Sequence, residues 1–173
     1  MPAEGVQRVT ADDIITAILV REGGFVNDRA DRGGATNFGI TQSTLAEFRR
    51  AEVSAADVAN LTEAEARTIY RKVYVEPWEG VVPETVLPLM ADCAVNHGPR
   101  GATKMLQKSV GVEADGAFGP STQAAVLTMD APRLYRKLCA ERVRFYGRLI
   151  SLDNTQAKFA SGWLNRAAEF IEA

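Results

Sequence analysis

Helix punctuation recurs along almost the whole chain and leaves little room for anything but a set of short helices. Thr10 can cap a first helix in which Ile14, Ile15, Ile18 and Leu19 fall at helical spacing, and Gly23-Gly24 stops it. Thr41 can cap a second, running to about Arg50. Thr62-Glu63-Ala64-Glu65 has the form of a capping box and opens a third, to about Tyr74. Pro88 suits the first turn of a helix ending at Gly98, and another runs from about Arg100 to Val110, meeting Gly111. Pro120 opens the next. Asp130 and Pro132 start a long helix carrying Leu134, Leu138, Val143, Phe145 and Leu149, and Phe159, Trp163, Arg166 and Phe170 form one stripe of the last. Residues 25–40 break the pattern: Asn27-Asp28, Asp31-Arg32-Gly33-Gly34 and Asn37 are turn formers with few apolar anchors. The expectation is a mainly α protein of about eight helices with one small irregular β-hairpin near residues 25–40.

Composition narrows the chemistry. At 173 residues the chain can bury a sizeable core as one domain or two small lobes. Lys and Arg number 20 and Asp and Glu 22, for a net charge of −2, which argues against holding nucleic acid by phosphate neutralisation. One histidine and two distant cysteines, Cys93 and Cys139, cannot build a catalytic zinc site, so neither metal nor cofactor is expected. The first residues, Met1 to Asp13, lack the basic and apolar runs of a signal peptide, and apolar stretches such as Ala17–Val20 are too short to span a membrane. Synthesis in the cytoplasm without a signal peptide is therefore expected.

The segment Arg21-Glu22-Gly23-Gly24-Phe25 sets a carboxylate at a helix C-terminus, where the last carbonyls already carry partial negative charge. Such a position raises a carboxyl pKa, more so if partly desolvated. A carboxylic acid that stays protonated near neutral pH is what glycosidic cleavage needs, because the leaving oxygen must receive a proton. Asp28, Asp31, Thr36, Asn37 and Thr41 follow as candidates to hold a water opposite it. Spacing alone is equally served by a solvated surface glutamate and by aspartates that stabilise turns.

The block Arg21-Glu22-Gly23-Gly24-Phe25-Val26-Asn27-Asp28, with Asp31-Arg32-Gly33-Gly34-Ala35-Thr36-Asn37-Phe38-Gly39-Ile40-Thr41, resembles the signature of glycoside hydrolase family 108, the lysozyme-like N-acetylmuramidases of phages and bacteria. The likeness continues through Ile69-Tyr70-Arg71-Lys72-Val73-Tyr74 and Asp92-Cys93-Ala94-Val95-Asn96-His97-Gly98. The remainder, including Phe159 and Gly162-Trp163-Leu164-Asn165-Arg166, resembles the predicted peptidoglycan-binding region that follows the catalytic part in that family. The resemblance implies a lysozyme-like fold, with residues 1–100 as the catalytic region and residues 101–173 as a peptidoglycan-binding-like region packed on the same core. It implies hydrolysis of the β-1,4 bond between N-acetylmuramic acid and N-acetylglucosamine in the manner of an endolysin. The family's essential glutamate falls on Glu22. Asp31 and Thr36 are the expected partners, with Thr41 as a rival to Thr36. Asn37, Thr41, Trp78 and Asn96 are the candidate sugar contacts. The implied partner is cell-wall peptidoglycan, reached in the periplasm with an export helper, a holin or a secretion system, by a monomeric chain. A non-catalytic wall-binding protein or a secretion-associated protein on the same scaffold is the alternative.

Other constellations read as architecture. Cys93 and His97 are four apart, but a thiol inside an apolar stretch is a poor nucleophile. Met105-Leu106-Gln107 followed by Asp115-Gly116-Ala117-Phe118-Gly119-Pro120 reads as two helices joined by a tight glycine turn, and Tyr70, Tyr74 and Trp78 as a mainly core stripe. Arg133, Arg136, Lys137, Arg142, Arg144 and Arg148 make the long helix basic, mostly on a solvated face that can approach anionic wall polymer.

Overall fold

The computed structural model describes residues 10–21, 24–26 and 35–172. By its internal contacts the chain divides into two compact units, Met1–Pro77 and Trp78–Ala173. In the first, Thr10 and Asp13 cap α1 (Ala11–Arg21) reciprocally: the Thr10 N–H donates to Asp13 Oδ2 at 2.8 Å and the Asp13 N–H to Thr10 Oγ1 at 3.2 Å. Ile14, Ile15 and Ile18 form the buried face of α1.

The β excursion is a hairpin of β1 (Thr36–Asn37) and β2 (Ile40–Thr41), with Thr36 opposite Thr41 and Asn37 opposite Ile40. Its tip is more regular than the sequence implied. Phe38 and Gly39 both have positive φ, 51° and 73°, which is the two-residue turn that matches strand twist. Thr41 then caps α2 (Gln42–Arg49), accepting from the Thr44 N–H at 3.2 Å.

Two features of this unit depart from the sequence reading. A helix α3 (Ala55–Ala59), absent from the expected set, is capped by a full Ser54–Asp57 box with Ser-x-x-Asp spacing. In α4 (Glu63–Tyr70) only half of the anticipated box forms. The Glu65 N–H reaches Thr62 Oγ1 at 3.2 Å, but the Glu65 carboxylate is held by Arg49 through two bonds of 2.8 Å. Beyond Tyr70 the helix widens into a π-helical turn, Arg71–Val75, and then a 3₁₀ turn, Glu76–Trp78. The π-helical turn packs on α1.

In the second unit α5 (Leu87–Val110) is interrupted where the sequence signals it. Gly98 has φ 70° and ψ 158°, and Pro99 restarts the helix. Gly111, at φ 81°, closes the helix by donating to Gln107 O at 2.9 Å. After α6 (Pro120–Thr128), α7 (Ala131–Leu152) is capped by Asp130 and packs against both α5 and α8 (Ala160–Glu172). A 3₁₀ turn, Asn154–Phe159, joins the last two. Leu89, Met90, Leu106, Leu134 and Leu138 form a core with no solvent exposure. Among the described residues no helix is long and apolar enough to cross a membrane.

Candidate active site

Glu22 and Asp31, the expected acid and its partner, lie outside the described residues. What is described is the frame around them in sequence. The backbone of Thr36 exchanges two 2.8 Å hydrogen bonds with Val26, an antiparallel bridge between the described residues on either side of Asp31 in sequence. Thr36 is half-buried and sits between Val26 on one side and Thr41 on the other.

The hairpin is clamped at three further points. Asn37 is 6% exposed, and its amide nitrogen donates to the carbonyls of Val58 and Ala59 at 3.1 and 3.3 Å. Thr41 Oγ1 lies 2.9 Å from Ser43 Oγ and 3.0 Å from Thr44 Oγ1 while it caps α2. The buried Tyr70 hydroxyl donates to Phe38 O at 2.7 Å. Three expected site residues, Thr36, Asn37 and Thr41, thus come together on one small element. The polar groups of Asn37 and Thr41 serve protein partners there, which makes these two residues anchors of the hairpin.

Trp78 corrects an expectation. Its side chain is 3% exposed, and among the described residues its buried indole N–H finds no hydrogen-bond acceptor. A ring so enclosed offers no open face for stacking on a sugar. Asn96 is at the surface, its amide nitrogen donating to Asp92 O at 2.6 Å and Asp92 Oδ2 at 3.3 Å.

The second unit holds a buried charge cluster that sequence reasoning missed. Asp92 Oδ2 lies 2.6 Å from Arg142 Nη2, and Asp92 Oδ1 accepts from Arg166 Nη2 at 2.8 Å. Arg142 is fully buried, which corrects its assignment to the solvated basic face of α7. The missed signal was its spacing. Leu134, Leu138, Arg142 and Tyr146 recur every four residues, so Arg142 continues the apolar stripe. Arg142 Nε also donates to Tyr146 Oη at 3.2 Å, and that oxygen is 3.4 Å from His97 Nε2.

Burial pushes the Cys93 thiol up to about 12, and burial followed by the Arg142 charge lowers His97 to about 4. Near neutral pH the thiol is protonated and the imidazole uncharged, so this pair supplies neither a thiolate nucleophile nor a charged imidazolium. Cys93 and Cys139 are both free.

The π-helical turn at Arg71–Val75 is a further feature with no clear sequence mark, since the capping and apolar signals predict an unbroken helix to Tyr74. Arg71 and Lys72 in that turn both bond Glu76 Oε1, each at 3.2 Å.

The family model for Glycosyl hydrolase 108 matches residues 15–98, and the model described as Predicted Peptidoglycan domain matches residues 101–168. Comparison with curated proteins finds no match. Among solved structures the chain is similar to Brucella abortus SagA. The TM-score is 0.80 and the identity 37%, over 92% of this chain and 90% of that one. That likeness and the mainly helical architecture, with one small hairpin among the described residues, agree with the lysozyme-like fold expected. The chain belongs to the glycosyl hydrolase 108 family and is a glycoside hydrolase of peptidoglycan.

Proposed function

We propose that this chain is an endolysin-like N-acetylmuramidase that cleaves the β-1,4 bond between N-acetylmuramic acid and N-acetylglucosamine, with Glu22 as general acid. The observation that supports it best is the Arg21-Glu22-Gly23-Gly24-Phe25 block, which begins on the last residue of α1 and lies inside the matched segment 15–98. In this mechanism Glu22 protonates the leaving glycosidic oxygen. Asp31 orients or activates the water that completes hydrolysis, and Thr36 helps to hold it. Asn96, exposed beside the break at Gly98, is the candidate to hydrogen-bond a sugar amide.

Residues 1–100 carry the reaction and residues 101–173 hold the wall. The chain acts as a monomer on periplasmic peptidoglycan, reached with a holin or a secretion system.

Mass analysis of digested wall tests the reading. New reducing N-acetylmuramic acid ends are expected, together with their loss in Glu22→Gln. The same variant should melt at the wild-type temperature or higher at pH 7, because a glutamine keeps the shape without a carboxylate at a helix end. Reducing N-acetylglucosamine ends or new free amines would assign another bond, and retained lysis by Glu22→Gln would remove that residue from catalysis.

A further inference from the structure

A groove of about 290 Å³ lies along α7 beside the last turn of α5. Lys108 from α5 and Arg133, Arg136, Lys137 and Arg144 from α7 line it, with Glu141 as its one carboxylate. Glu141 is already engaged, 2.8 Å from Arg144 and 3.7 Å from Arg148. Lys108, Arg133, Arg136 and Lys137 have no carboxylate within ion-pair distance among the described residues. Their spacing puts the α7 members on one face, turned from the stripe that buries Leu134 and Leu138.

A chain with net charge −2 has thus gathered unneutralised cations around one concavity. Like charges gathered around one groove repel, and a bound anion relieves the repulsion. No aromatic side chain lines the groove, so it offers no face on which a sugar ring can stack. Every lining residue falls within residues 101–168, the segment matched by the peptidoglycan model. Peptidoglycan consists of uncharged acetylated sugars and of peptide stems that bear free carboxylates. Of these two parts, only the stems complement the groove.

We propose that this groove binds the free carboxylates of peptidoglycan stem peptides, so that the second region reads the peptides rather than the glycan. The proposal rests on the reading of the chain as a protein that works on peptidoglycan.

The test is sedimentation of the full chain with purified sacculi on ice at low salt. The groove variant is the triple Arg133→Gln, Arg136→Gln, Lys137→Gln. A charge-matched control, Arg50→Gln, Lys104→Gln, Lys158→Gln, changes cations outside the groove. Sacculi with chemically amidated carboxyl groups are run beside native sacculi. The groove triple is expected to bind native sacculi about tenfold more weakly than wild type, three exposed charge pairs being lost. The control is expected to bind as wild type does. Wild type is expected to lose the same factor on amidated sacculi, and to weaken as sodium chloride is added.

Native-like binding by the groove triple, or undiminished binding of wild type to amidated sacculi, overturns the groove assignment while leaving wall binding intact. Equal weakening by the control triple would show a general charge effect and overturn it as well. If wild type sediments with phosphocellulose but with no form of sacculi, the groove is a phosphate site and the wall-binding reading falls with the proposal. The amidated sacculi read the groove on unmutated protein, so the outcome does not depend on the triple variant folding.

Discussion

Arg50 and Gly116 hold the same backbone conformation at opposite cost. Arg50 ends α2 at φ 53°, a left-handed geometry that crowds its Cβ. It is exposed, so its side chain contributes little packing. Arg50→Gly should therefore stabilise the protein by about 0.5–1 kcal/mol, seen as a higher urea midpoint with unchanged slope. An unchanged or lower midpoint would show that the arginine side chain makes up for its backbone. Gly116 is the converse. It has φ 81°, and a Cβ there would lie 2.7 Å from Arg100 Cγ. Gln107 also binds this turn, accepting from the Gly116 N–H at 2.9 Å and donating to Asp115 Oδ1 at 2.7 Å. Gly116→Ala should cost about 1–3 kcal/mol by the same measurement. The glycine was legible in the sequence as a tight turn because glycine advertises positive φ. Arg50 and Phe38 were not, because their conformations are imposed by closing a helix and a hairpin and leave no trace in residue type.

At the scale of elements, most helix starts were legible because a cap is local: the side chain that satisfies a free N–H lies within three residues of it. Thr10, Thr41 and Asp130 cap where their positions imply. What escaped depends on partners distant in sequence. Glu65 gives its carboxylate to Arg49, sixteen residues away, instead of completing its own box. Asp92 ties α5 to α7 and α8 through Arg142 and Arg166, a link that no local rule exposes. The candidate site divides the same way. Glu22 stood out from its block of neighbours, whereas the burial of Trp78 is a tertiary fact. A prediction follows from the buried cluster. Asp92→Ala leaves the fully buried Arg142 without its counter-charge and should cost about 3–5 kcal/mol. Arg166→Gln should cost less, because its side chain is 19% exposed and water can replace part of the interaction. Urea titrations that ranked Arg166→Gln as the more damaging would refute this account of the cluster.

At the scale of the whole molecule, the dependence of stability on mild acid falls, among the described residues, to His97. The sequence contains a single histidine, and burial against Phe145 and Tyr146, helped by the charges of Arg142 and Arg166 and opposed by that of Asp92, lowers His97 from the usual 6.5 to about 4. The unfolded chain therefore binds a proton through pH 6.5 while the folded chain resists it until about pH 4. More protons on the unfolded state means that stability falls as pH falls across that window and is constant above it. The full loss is on the order of 2 kcal/mol, with solvent reaching part of the ring. The carboxylates with depressed values, Asp13, Asp57, Glu65, Glu76, Asp115 and Asp153, enter lower. Their contribution is present above their unfolded values of 3.8 to 4.5 and is lost below them. A general acid raised into this window would act with the opposite sign, and Glu22 is the residue proposed for that role. The measurement is therefore made in Glu22→Gln. Its unfolding free energy should decline between pH 6.5 and 4.5, and the decline should vanish when His97→Gln is added. A slope that survives the second substitution would mean that a group other than the buried imidazole sets the acid limit of this hydrolase.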